Sequence, residues 1–139
     1  MSLFQRTHMP SLGGATGWVN SEPLDLAELR GRVVLVDFWT LTCINWLRTE
    51  PYVRAWSQAY RDDGLIVLGV HTPEFSFEHD IDLVRRAVEV RDIDYPVAQD
   101  NDFGIWTAFA NGARARPLTE DGGIQDNKPD WGPAPRGHR

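Results

Sequence analysis

The 139-residue chain is 42% hydrophobic and 24% charged, with one cysteine and a formal charge of −6 spread along its length. That balance suits a globular chain with a single core. No basic block or zinc-type cysteine set supports nucleic-acid binding, a lone cysteine excludes an internal disulfide, and no apolar run reaches the roughly 18 residues of a membrane span.

Residues 1–13 are expected to be a flexible N-terminus. They hold no apolar core of signal-peptide length, so the chain as written is expected in the cytoplasm. Gly13, Gly14 and Gly17 allow turns, Trp18 and Val19 suit a short edge strand, and Ser21, Glu22 and Pro23 end it. Leu24, Leu26 and Leu29 then return the chain to the core, with Asp25 and Glu28 outward. Residues 33–38, VVLVDF, are apolar except for Asp37 and rich in β-branched side chains, which predicts a buried strand. After a loop over 39–42, Ile44, Leu47, Val53, Trp56 and Tyr60 recur at helical steps, with Ala55 and Ala59 on the same side. This pattern predicts a helix over 44–60 with those residues facing the core.

Cys43 falls where that helix begins. A helix start leaves amide N–H groups unpaired and carries the positive end of the macrodipole, which favours a thiolate. The same position also suits a small, inert core hydrophobe. Thr42 is a candidate N-cap, with Thr40 in the same loop.

Residues 61–64 read as a turn and 65–70, LIVLGV, as a second buried strand. Strand, helix and strand together predict a parallel, right-handed βαβ unit. His71 follows at the strand's carboxyl end, where α/β ligand sites form; it either faces the thiol region or fills a loop. Phe77, Ile81, Val84 and Val88 predict a helix over 77–90, with Glu78, Asp80, Arg85, Arg86 and Glu89 on its wet side and His79 solvated. A short strand near Val97 and a helix over 101–109 complete the periodic pattern. Residues 110–139 are dominated by Gly, Pro and charge and read as an irregular tail.

The stretch Trp39, Thr40, Leu41, Thr42, Cys43, Ile44, Asn45, Trp46 resembles the WTYTCINC active-site segment of the thioredoxin superfamily. The likeness is strongest to its TlpA-like and redoxin branches, and among these to DipZ-like domains fused to CcdA-type membrane carriers. His71, Thr72, Pro73, Glu74 and Phe75 resemble that group's VHTPEF, and the likeness covers roughly residues 14–109. It implies an α/β, thioredoxin-like fold around the βαβ core and thiol–disulfide oxidoreductase chemistry. By the same resemblance Cys43 is the nucleophile, Asp37 the buried acid assisting proton transfer, Pro51 the kinking proline of the helix, and Trp39 the aromatic residue before the site.

Two departures limit that implication. Trp46 stands where the family has its second cysteine, so a mixed disulfide at Cys43 must be resolved by another molecule. The family's YWPALYFID-like strand and cis-proline loop have no clear counterpart after residue 109, Pro117 being the nearest proline, so the domain is expected to be incomplete. The expected function is that of a one-cysteine relative of the thiol–disulfide oxidoreductases, with Trp39, Thr42, Trp46 and His71 as candidate substrate contacts. The alternatives are a non-catalytic polypeptide-binding or truncated redoxin domain and a one-cysteine peroxiredoxin-like peroxidase. Expected partners are a protein or low-molecular-weight thiol or disulfide, and a second copy along an uncovered sheet edge. No motif calls for a cofactor or metal. A fragment of a DipZ-like protein would work outside the cytoplasmic membrane.

Overall fold

Two seven-residue strands, Val33–Trp39 (β2) and Leu65–His71 (β3), run parallel and in continuous register, from Val33 opposite Leu65 to Trp39 opposite His71. The computed structural model that shows this describes residues 8–112. The helix joining the two strands, Ile44–Tyr60 (α1), contains Pro51, which removes the amide that would have bonded the Leu47 carbonyl. Gly17–Val19 (β1) pairs antiparallel with Val97–Gln99 (β4), and β4 pairs parallel with β3, so the sheet order is β1-β4-β3-β2. Among the described residues β2 is therefore hydrogen-bonded on one side only. The mixed α/β sheet and its βαβ core match the fold expected from the sequence.

Alternation along the strands sorts side chains into two layers. Leu35, Trp39 and Val67 join Trp46 and Val53 of α1 and Val84 and Val88 of the helix Ile81–Val90 (α2) in one cluster. Val34, Val36, Phe38, Leu68 and Val70 face the other way, packing on Leu12, Leu29 and the helix Gly104–Gly112 (α3) through Ile105 and Phe109. Gly69 lies on the first face, where an added Cβ would meet Trp39 Nε1 at 3.1 Å and Tyr95 Cε2 at 3.2 Å. The bare backbone lets two aromatic rings close over the sheet.

Three sequence readings are corrected. The buried stripe of α1 is Trp46, Glu50, Val53 and Ser57, while Ile44, Trp56 and Tyr60 are 57%, 48% and 53% exposed and Ala55 and Ala59 also face outward. Both stripes satisfy helical spacing, and the inner one contains a carboxylate that an apolar count passes over. Glu50 is tolerated there because Arg91 Nη1 and Arg54 Nε lie 3.4 and 3.5 Å from its two oxygens. The segment expected as one helix over 77–90 is a 3-10 turn, Ser76–His79, followed by α2, with Asp80 capping α2 through the Asp82 amide at 2.9 Å. Within that turn Phe77 is exposed and Glu78 buried, the reverse of the expectation. The last helix starts at Gly104 and runs to Gly112, past its expected end at 109. The readings for the tail, including Pro117 as a cis-proline, lie outside the described residues.

Candidate functional site

Cys43 is the N-cap of α1, with φ −75° and ψ 111°, and its carbonyl accepts the first helical hydrogen bond from the Leu47 amide at 3.1 Å. Thr42 is thus not the cap. The thiol is half-buried and packs against the first core cluster. It sits one turn beyond the carboxyl end of β2, because the chain leaves Trp39 through a tight loop in which the Cys43 amide bonds the Thr40 carbonyl at 3.2 Å.

That loop is held from β3 and from the segment after it. The Thr72 amide donates to the Trp39 carbonyl at 2.9 Å, and the Leu41 amide donates to His71 Nε2 at 3.3 Å. Thr42 donates twice to Glu78 Oε1, from its amide at 3.2 Å and its hydroxyl at 2.7 Å. The other oxygen of Glu78 accepts the amides of Glu74 and Phe75 at 2.7 and 3.0 Å. Glu78 is fully buried. Burial pushes its carboxyl upward, but the Phe75 and Glu74 amides and the threonine hydroxyls of the loop outweigh this and hold it below the ordinary glutamate range.

His71 is also fully buried, edge-on to Trp39 at 4.7 Å and 81°. Because Nε2 accepts a hydrogen bond, its proton resides on Nδ1, which has no partner among the described residues. Burial lowers its pKa to about 4, against the opposing pull of Glu78, so the ring is neutral at physiological pH. Asp37 points from β2 to the same side. Burial pushes its carboxyl up to about 6; the Trp46 indole counters this in part and the charge of Glu50 adds to it. No group among the described residues comes within full hydrogen-bonding geometry of Asp37 Oδ2 or Trp46 Nε1.

Trp46 is 3% exposed and turned into the core cluster against which Cys43 packs. It stacks on Trp39 at 4.2 Å and 19°, and the Arg91 guanidinium lies 5.4 Å from its ring centre. Tyr95 packs in the same cluster, its hydroxyl held strongly in the neutral form by burial and by the nearby charges of Asp37 and Glu50. The structure thus gathers Asp37, Trp39, Trp46 and His71 beneath the loop, while Thr42 reaches solvent beside Cys43 and Pro51 stands exposed on α1. Glu78 and Glu50 escaped the sequence reading. The one available signal for Glu78 was its position three residues after Phe75, the spacing of a capping-box acid whose carboxylate reaches back to an amide. Among the described residues no three His, Cys, Asp or Glu side chains group so as to hold a metal ion.

A half-exposed cysteine thus stands at the N-terminus of the crossover helix of a βαβ unit, on the loop that follows the strand carrying the half-buried Asp37. The chain is 49% identical over 105 residues to Protein DipZ of Mycobacterium tuberculosis, covering 73% of this chain and 15% of DipZ. It is 28% identical over 106 residues to thiol-disulfide oxidoreductase YkuV of Bacillus subtilis, covering 76% of this chain and 71% of YkuV. The solution structure of a thioredoxin-like protein in its oxidized form superposes with a TM-score of 0.68 at 30% identity, covering 76% of this chain and 71% of that one. No family model matches the chain. It belongs to the thioredoxin superfamily, as a redoxin domain related to DipZ and to the thiol–disulfide oxidoreductases, with a single cysteine. It spans about 15% of the length of the DipZ proteins it matches.

Proposed function

We propose that Cys43 is the nucleophile of a thiol–disulfide exchange that halts at the mixed disulfide. The Cys43 thiolate attacks one sulfur of a partner disulfide, a new S–S bond forms to Cys43, and the other partner sulfur leaves as a thiolate and takes up a proton. A second, external thiol then attacks the mixed disulfide and releases Cys43. Asp37, half-buried on the strand that leads into the Cys43 loop and with its carboxyl pushed up to about 6 by burial, acts as the proton acceptor. Trp39, Trp46 and His71 form the floor that shapes the loop, and Thr42 lines the approach.

The observation that carries this reading is the half-exposed thiol at the α1 N-cap, with the resolving position filled by core-packed Trp46. The resolving partner is a protein or low-molecular-weight thiol of whichever compartment the chain occupies: cytosolic if it acts alone, extracytoplasmic if it forms part of a DipZ-like protein. No helix of the described residues is long and apolar enough to cross a membrane. The side of β2 that carries no pairing among the described residues suits pairing with a second copy, which sedimentation over a range of concentrations would reveal.

The test is intact-mass analysis of the native chain exposed to a disulfide-bonded peptide. A one-to-one adduct should form, persist until dithiothreitol is added, and be absent in Cys43→Ser. An adduct that forms only in denaturant would overturn the assignment. A second reading, non-catalytic capture of polypeptide, is favoured by the stacked, half-exposed rings of Phe75 and Phe77, 5.7 Å apart, on the segment that Glu78 ties to the thiol loop.

A further inference from the structure

We infer that Glu78 is a positioning residue for the Cys43 thiol: its buried carboxylate locks the backbone from which Cys43 enters α1, and so sets the line along which the sulfur meets a partner disulfide. This rests on the reading of Cys43 as nucleophile given above.

The carboxylate is the shared acceptor of two segments distant in sequence. One oxygen takes both the amide and the hydroxyl of Thr42, the residue before the thiol; the other takes the amides of Glu74 and Phe75. An ionised carboxylate is acceptor-only on both oxygens, and four donors converge on it, so the site is built for the anion. Burial would ordinarily push such a group toward protonation, yet the donors hold it in the charged form. With the Leu41 amide on His71 and the Cys43 amide on the Thr40 carbonyl, three successive loop amides are each fixed to an acceptor. The sulfur has little freedom apart from rotation about its own Cα–Cβ bond.

This matters more for exchange than for other thiol chemistry. Attack on a disulfide requires the incoming sulfur to approach along the axis of the bond being broken, so a misplacement of the loop penalises it steeply. Alkylation is also in-line, but at an unhindered CH2 bearing one small substituent, so it restricts the direction of approach less than a disulfide with a substituent on each sulfur. A residue that merely staples two segments together would lower stability and slow both reactions in the same proportion. Gln at position 78 offers one acceptor oxygen and one NH2 group, and the NH2 would confront amide hydrogens, so one half of the clamp must open.

The experiment compares two second-order rates at Cys43 in the full, folded chain: with uncharged bis(hydroxyethyl) disulfide and with iodoacetamide. Glu78→Gln should slow the disulfide reaction about tenfold or more while leaving alkylation within about twofold of wild type. Thr42→Val should slow the disulfide reaction by a smaller factor, and Thr42→Ser should restore it. Equal slowing with both reagents, or no slowing with either, overturns the inference. Should Glu78→Gln fail to fold, the Thr42→Val and Thr42→Ser pair decides alone, and an unchanged ratio of the two rates in Thr42→Val overturns it. A wild-type thiol that alkylates but does not exchange sinks the nucleophile reading and this inference together; a wild type that exchanges no faster than Glu78→Gln sinks only the role of Glu78.

Discussion

Asp37 and His71 lie on the same side of the sheet beneath the Cys43 loop and are shifted in opposite senses, with consequences for how the protein responds to pH. Asp37 is raised from an ordinary value of 3.8 to about 6, so the stability it contributes is complete below 3.8 and is lost as pH rises through about 6. His71 is lowered from 6.5 to about 4, so its contribution is complete above 6.5 and is lost as pH falls through about 4. Between these limits the two oppose each other, each worth on the order of 2–3 kcal/mol. Asp100, raised by burial, adds to the sense of Asp37, and Glu78, lowered by its donors, adds to that of His71. Asp37→Asn isolates one arm of this balance. It should stabilise the fold at neutral pH by on the order of 2 kcal/mol, with the gain vanishing near pH 4, where the wild-type carboxyl is already protonated. Urea midpoints across that range would show it; a stability difference independent of pH would show that Asp37 titrates normally. On the proposed role of Asp37 as proton acceptor, the same substitution should also slow mixed-disulfide formation.

At the scale of elements, the strands and the crossover were legible because the signals there are redundant. Residues 33–39 and 65–71 are dense in β-branched and aliphatic side chains, and a crossover helix between adjacent strands leaves only a parallel pairing. The orientation of α1 was not legible. Two stripes at helical spacing compete, and the one richer in aromatic residues faces water because the inner one can bury Glu50 against Arg91, a residue 41 positions away. Glu78 was hidden for a related reason: its donors are mostly main-chain amides, which no side-chain pattern records. The inner stripe makes a direct prediction. Trp46→Ala should cost about 3–5 kcal/mol, as for a buried aromatic truncated in a core, and Trp56→Ala well under half of that. Thermal or denaturant unfolding of the two variants discriminates; equal losses would mean that the sequence-derived face contributes as much as the one assigned here.

For the whole molecule the question is what separates this chain from a turning-over dithiol reductase. Trp46→Cys restores the Cys-x-x-Cys spacing at the start of α1, where two sulfurs in the first turn come within disulfide reach. The side chain at position 46 points into the core, however, so the substitution also removes a ring stacked on Trp39 and lying beneath Arg91. The new thiol would begin life in a cavity, and stability should fall by a few kcal/mol. Beyond the thiols, β2 is paired on one side only among the described residues, and the sequence after residue 109 is expected to lack the strand and cis-proline loop of the family. Insulin reduction should therefore be negligible for wild type, weak for Trp46→Cys, and substantial for the same substitution in a chimera whose residues after 109 are replaced by the C-terminal half of a two-cysteine redoxin. If Trp46→Cys alone matched the chimera, the substrate surface would already be present in this chain, and the missing second thiol would be its sole barrier to catalysis.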